Sequence, residues 1–126
     1  AKGAELAHKA AFLSGLVKIL TELDGQVQEP WRPKRVFHYI QDRYIKPDVV
    51  VDISGYFDKK MEAVMAFGSQ FFQEDDAGVK TPISGQDFVK FLEGRARQMG
   101  REAGYEIGEG FTTSHVIGIQ SLFDVD

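Results

Sequence analysis

Apolar side chains recur every three to four residues at the start of the chain: Leu6, Ala10, Leu13, Val17 and Leu20, with Phe12, Leu16 and Ile19 widening the stripe. Lys2, Lys9, Lys18 and Glu22 fall largely on the other side. This period predicts an amphipathic helix of about five turns. Gly25 lies just beyond it, and Pro30 and Pro33, with the charges between them, predict a loop. The run RVFHYI at 35–40 is aromatic and β-branched and predicts a strand. PDVVVDI at 47–53 is an almost unbroken apolar run entered through Pro47. A strand that is apolar on both faces suits a parallel sheet covered by helices, so 49–53 is expected to be a central parallel strand.

Ser54 is expected to cap a second helix whose seam is Phe57, Met61, Val64, Gly68 and Phe71. A glycine inside that helix costs about 1 kcal/mol against alanine, which points to close packing at Gly68. QEDDAGVKTP at 73–82 reads as a charged loop ending in Pro82. Ser84, with Asp87 three residues on, marks the start of a third helix with seam Phe88, Leu92, Ala96, Met99 and Ala103. Glu93 and Arg97 stand one turn apart on it, placed for an ion pair. After Gly104, YEIGEGFTTSHVIGI at 105–119 predicts one or two strands, broken at Gly108 and Gly110.

The order helix, strand, strand, helix, helix, strand predicts an α/β class chain. The expected architecture is a Rossmann-like layered fold with a mainly parallel sheet, of which residues 1–126 form the C-terminal part. There is no internal repeat or boundary, so 1–126 is expected to be a single domain. No capping residue precedes Ala1, and the natural start of the first helix is expected upstream of it.

Composition narrows the partners. The net charge of -4 disfavours nonspecific binding to nucleic acid or an anionic membrane. No apolar run approaches the roughly 18–20 residues of a membrane-spanning helix. The chain has no cysteine, which excludes disulfides and thiolate zinc sites and makes the cytoplasm the expected compartment.

The three histidines, His8, His38 and His115, lie far apart in sequence. None has a carboxylate or second histidine at a zinc-ligand spacing, and there is no HExxH. They are expected to be a helix-surface, a strand and a loop or strand residue. Gly108 and Gly110 do not form a GxGxxG loop before a helix, and GxSxG and P-loop patterns are absent. Two polar clusters remain: Gln41, Asp42 and Tyr44 just after the first strand, and Glu109 between two glycines. Ligands of open α/β sheets sit beyond the carboxyl ends of strands, where Gln41 and Asp42 would lie. The residues alone favour solvated loop positions for both, and Glu109 reads equally as a surface residue on a β-bulge.

Four phrases occur in order: YIQDRYIKPDVVVDIS, FDKKMEAVMAFGSQF, TPISGQDFVKFLEGRARQMG and GEGF followed by IGIQSLFDV. Together they resemble the C-terminal half of LmbE-like (PIG-L-type) zinc deacetylases, nearest to the bacillithiol-biosynthesis N-acetylglucosaminyl deacetylase group. In that family a His-Pro-Asp-His motif lies just upstream of a helix ending in something like AAFLSGL, found here at 10–16. The motif supplies one zinc ligand, and an Ala-His-Pro-Asp-Asp motif near the family's N-terminus supplies two more. Neither motif is in this sequence. The resemblance therefore implies a metal-dependent amide hydrolase whose Zn2+ ligands and catalytic residues all lie outside this chain. When bound, zinc lowers the pKa of its water and polarises the acetyl carbonyl.

The implied substrate is an N-acetylglucosaminyl small molecule, such as N-acetylglucosaminyl malate. The implied partners are the N-terminal half of the same enzyme and further copies in a homo-oligomer. Substrate-binding candidates within the chain are Gln41, Asp42 and Glu109; Ser69, Gln70 and Arg95 also lie in the matching phrases. The competing expectations are a non-catalytic α/β interaction or oligomerisation domain, and a small metal-free ligand-binding domain.

Overall fold

The computed structural model, which describes residues 2–67 and 86–125, places the most buried apolar side chains on one helix and the turn after it. Met99 is 1% exposed, Ala96 4% and Ile107 6%. The elements in chain order are α1 (Lys2–Leu13), β1 (Glu22–Leu23), β2 (Gln26–Val27), β3 (Phe37–Tyr39), β4 (Val49–Asp52), a 3-10 turn (Ser54–Tyr56), α2 (Phe57–Met65), α3 (Gln86–Ala103), β5 (Gly108–Thr113) and a last 3-10 turn (Leu122–Asp124). The chain is α/β in class. Its packing separates into two units, residues 39–111 and residues 1–38 with 112–126.

In the 39–111 unit, α3 packs on β4 through the predicted seam, and Ala96 and Met99 are its deepest members. The predicted Glu93–Arg97 pair forms at 3.0 Å. The three-stranded sheet has the order β3-β5-β4. The predicted strand at 49–53 is present as β4, but it is neither central nor parallel among the described strands. It stands at the end of the order and runs antiparallel to β5, with Val50 opposite Gly110 and Asp52 opposite Gly108. Val51 is 47% exposed. The physical reason is that an apolar run reports burial, whereas strand direction is set by the partner, and the partner lies more than fifty residues away in sequence.

The strand predicted within 105–119 starts at Gly108, and the expected break at Gly110 does not occur, because β5 runs on through it to Thr113. These glycines serve packing. A Cβ on Gly108 would lie 2.6 Å from Val50 Cγ1 and 2.9 Å from the Gly100 Cα. One on Gly110 would lie 2.8 Å from the Met99 sulfur. The missing side chains let α3 approach the sheet closely.

Ser54 does not cap α2. Tyr56 is the N-cap residue, without a side-chain bond, and Ser54 opens the 3-10 turn before it. The Ser54 hydroxyl donates to Asp52 Oδ1 at 2.6 Å, and the Ser54 amide donates to the same oxygen at 2.9 Å. The Ile107 amide donates to the Ser54 oxygen at 3.2 Å. Asp52 and Ser54 thus fasten the end of β4 to the residue before β5. The Ser54 hydroxyl, then its amide, hold the Asp52 carboxyl below its usual value of 3.8. A lowered folded pKa stabilises the fold above the unfolded value, and that stability is lost as pH falls through the folded value. Asp52→Asn is therefore expected to flatten the acid limb of a stability-versus-pH curve below about pH 4. An unchanged acid limb in thermal melts would contradict this. Gly68 and Phe71 of the predicted second seam, the 73–82 loop and the Ser84 cap lie outside the described residues.

In the other unit the first helix is shorter than its apolar stripe. It ends at Leu13, and the hydrogen bonds that follow tighten to three-residue turns, with Leu16 N donating to Leu13 O and Ile19 N to Leu16 O. Its last carbonyls find tertiary partners. Arg32 donates to Phe12 O at 3.0 Å with its guanidinium 4.8 Å above the Phe12 ring, and the Trp31 amide donates to Ser14 O at 2.9 Å. A hairpin follows, β1 with β2, turning at Asp24 and Gly25, both at positive φ (52° and 77°). Asp-Gly is the two-residue turn signal for such a hairpin. The end of this unit is closed by Ser121, whose hydroxyl accepts from Phe123 N while Asp124 accepts from Ser121 N. The apolar stripe of the first helix stays in solvent: Leu6 is 70% exposed, and beyond α1 Val17 is 76% and Leu20 75% exposed. No helix among the described residues is long and apolar enough to cross a membrane.

Candidate functional site

A cleft of about 50 Å³ opens in the 39–111 unit where α2, α3, β5 and the loop after β3 converge. Each element brings one polar side chain. Gln41 follows β3, Lys60 comes from α2, Arg95 from α3 and Glu109 from β5. Leu92 and Met99 are among the apolar side chains lining it. Because β5 runs against β4, its first residues lie beside the carboxyl end of β4, and Glu109 is paired with Val51 there. The strand-end argument that points to Gln41 thus holds for Glu109 as well, through a register invisible before folding.

Lys60 Nζ and Glu109 Oε1 are 2.7 Å apart, with the two side chains 34% and 36% exposed. Such coverage sets the pair apart from the fully hydrated surface pairs that contribute little. Arg95 does not reach a carboxylate. Its Nη1 donates to the Gln41 carbonyl at 2.8 Å and its Nη2 to the Asp42 carbonyl. Of the three substrate-binding candidates in the sequence, two line the cleft, Gln41 and Glu109. Asp42 stands at the rim and contributes a backbone carbonyl to Arg95.

Lys60 and Arg95 are the cleft residues that the sequence does not mark as substrate-binding. Lys60 sits at the fourth position of α2, and a lysine on a helix surface has no distinguishing sequence signal. Arg95 lies on α3 next to Ala96 of the seam, four residues after Phe91, and its guanidinium is 4.6 Å above the Phe91 ring. That i,i+4 aromatic–arginine spacing is the one legible hint. Tyr44, the third member of the sequence cluster, faces α3 and donates to Glu102 Oε1 at 2.6 Å. This hydrogen bond to the Glu102 carboxylate raises the Tyr44 pKa above its usual value of 10.0.

The histidines are found in the other unit. His8 and His38 line one open depression with Lys2, Glu5 and Ser114, and the rings of His8 and His115 stand 6.4 Å apart. Folding thus gathers residues far apart in sequence. Among the described residues, however, no three His, Asp or Glu side chains are arranged to hold a metal ion.

No protein-family model matches the chain. Among solved structures it is similar to the conserved protein TT1542 from Thermus thermophilus, with a TM-score of 0.71 and 28% sequence identity. The match covers 92% of this chain and 46% of the Thermus chain. This chain therefore spans about half the length of that protein.

Proposed function

We propose that this chain is the C-terminal half of a zinc-dependent N-deacetylase of the LmbE type, and that its cleft holds the sugar of an N-acetylglucosaminyl substrate. One observation carries the reading: Gln41 and Glu109, far apart in sequence, line one cleft, beside Lys60 and Arg95. An amide, an ammonium and a carboxylate around an apolar floor supply both donors and acceptors, as a hydroxyl-rich ligand requires. The half-length match to the Thermus protein agrees with a longer parent.

The cleft is small, about 50 Å³, and on this reading it takes a hydroxyl or hydroxymethyl arm of the sugar. On this reading Glu109 accepts from a hydroxyl, Lys60 donates to its neighbour, and Gln41 does either. On this reading the zinc ligands lie in the other half, and this chain binds and orients the substrate. The parallel part of a Rossmann-like sheet belongs there too, and it would pair along the outer edge of β4.

The test is acetate release from N-acetylglucosaminyl malate by the intact parent protein. Gln41→Ala and Glu109→Ala are each expected to raise KM about 5- to 50-fold with zinc content unchanged, as removed binding contacts do. Wild-type kinetics in both variants would take the cleft out of the site. The second reading, an interaction domain without catalysis, draws on the exposed apolar stripe around Leu6, Val17 and Leu20. A parent protein that binds a partner there and releases no acetate would favour it.

A further inference from the structure

α3 grips the loop after β3 at two points. Arg95 donates from its two terminal nitrogens to the carbonyls of Gln41 and Asp42, and seven residues on Glu102 accepts the Tyr44 hydroxyl. Residues seven apart share a helix face, so the two grips act along one line. The guanidinium lies over the Phe91 ring, on the preceding turn of the same face. The ring contact restricts the orientation of the guanidinium.

Two successive carbonyls of an extended chain point to opposite sides. Both can accept from one planar fork only if the backbone turns between them. That turn aims the residue carrying the first carbonyl, and that residue is Gln41, which lines the cleft. We infer that Arg95 is a positioning residue that clamps the carbonyls of Gln41 and Asp42 and so presents the Gln41 side chain to the cleft ligand. The clamp itself stands on the geometry alone. That the ligand is a sugar rests on the function proposed above.

Lysine is the informative replacement. It keeps the charge and most of the stem but has no planar fork with which to bridge two carbonyls. In the 126-residue chain, Arg95→Lys and Arg95→Ala are both expected to lower the backbone order parameters at 41–44 from about 0.85 toward about 0.6, while those of α3 stay high. A few millimolar guanidinium should raise them again in Arg95→Ala and not in Arg95→Lys. Unchanged order parameters at 41–44 in both variants would overturn the clamp.

Kinetics of the parent protein test the positioning. Arg95→Ala should raise KM with little change in kcat. Adding Gln41→Ala to it should then have no further effect, a coupling that a merely structural arginine would not produce. Additive effects of the two substitutions would overturn the positioning role. If the wild-type parent releases no acetate, the deacetylase reading fails while the relaxation measurement still decides the clamp.

Discussion

Alanine at Gly100 is expected to destabilise the 39–111 unit by about 3 kcal/mol, the upper range for overpacking a core. Helix propensity argues the opposite sign, since alanine is better than glycine by about 1 kcal/mol inside a helix. The contact decides. A Cβ on Gly100 would lie 2.8 Å from the Gly108 amide nitrogen and 2.8 Å from the Ile107 carbonyl carbon. Both are backbone atoms and cannot rotate away. Relief requires α3 to lift from the start of β5, which would uncover Met99 and disturb the Ser54–Ile107 hydrogen bond. Gly94 on the same helix is the control, because a Cβ added there would meet nothing within 4 Å. Gly94→Ala should be neutral or stabilising by up to about 1 kcal/mol. Urea unfolding followed by far-UV circular dichroism separates the two. Equal midpoints for Gly100→Ala and wild type would show that α3 and β5 are not in this contact.

On its own the chain is expected to self-associate, and to form a defined complex when mixed with the N-terminal half proposed above. Leu6, Phe12, Val17 and Leu20 are each more than half exposed. Burying four such side chains is worth on the order of 10 kcal/mol, an upper bound because the separated chain already hides part of them. That is of the same order as the entropy cost of bringing two chains together. Large apolar side chains exposed in this number mark an interface or an aggregation hazard. Leu6→Lys with Leu20→Lys should reduce self-association and also weaken pairing with the other half. Light scattering and size exclusion give the readout. A monodisperse 14.1 kDa species, unchanged on mixing, would contradict the expectation.

Much of the helical order is legible in the chain. The seam Leu92, Ala96 and Met99 identifies α3 and its buried face, because a helix's register is local and repeats every few residues. The Glu93–Arg97 pair follows from the same spacing. The stripe 6–20 marks α1 correctly but overruns its end. Helical period continues through Val17 and Leu20, while Arg32 and Trp31, which take up the carbonyls of Phe12 and Ser14, are distant in sequence. The Asp24–Gly25 turn is legible in principle, since the dipeptide carries its own conformational preference.

What the sequence by itself determined is local: helix faces, the existence of strands at 37–39 and 49–52, and the chemical character of Gln41 and Glu109. Only the tertiary structure decided direction and company. It set β4 antiparallel to β5, and it started β5 at Gly108 and ran it through Gly110, where α3 lies too close for side chains. It also brought Lys60 to Glu109 and the Arg95 guanidinium to two consecutive carbonyls. The reason is range. Propensity and period act over a few residues, whereas strand partners and a cleft's walls are chosen by contacts between segments that the chain order leaves far apart.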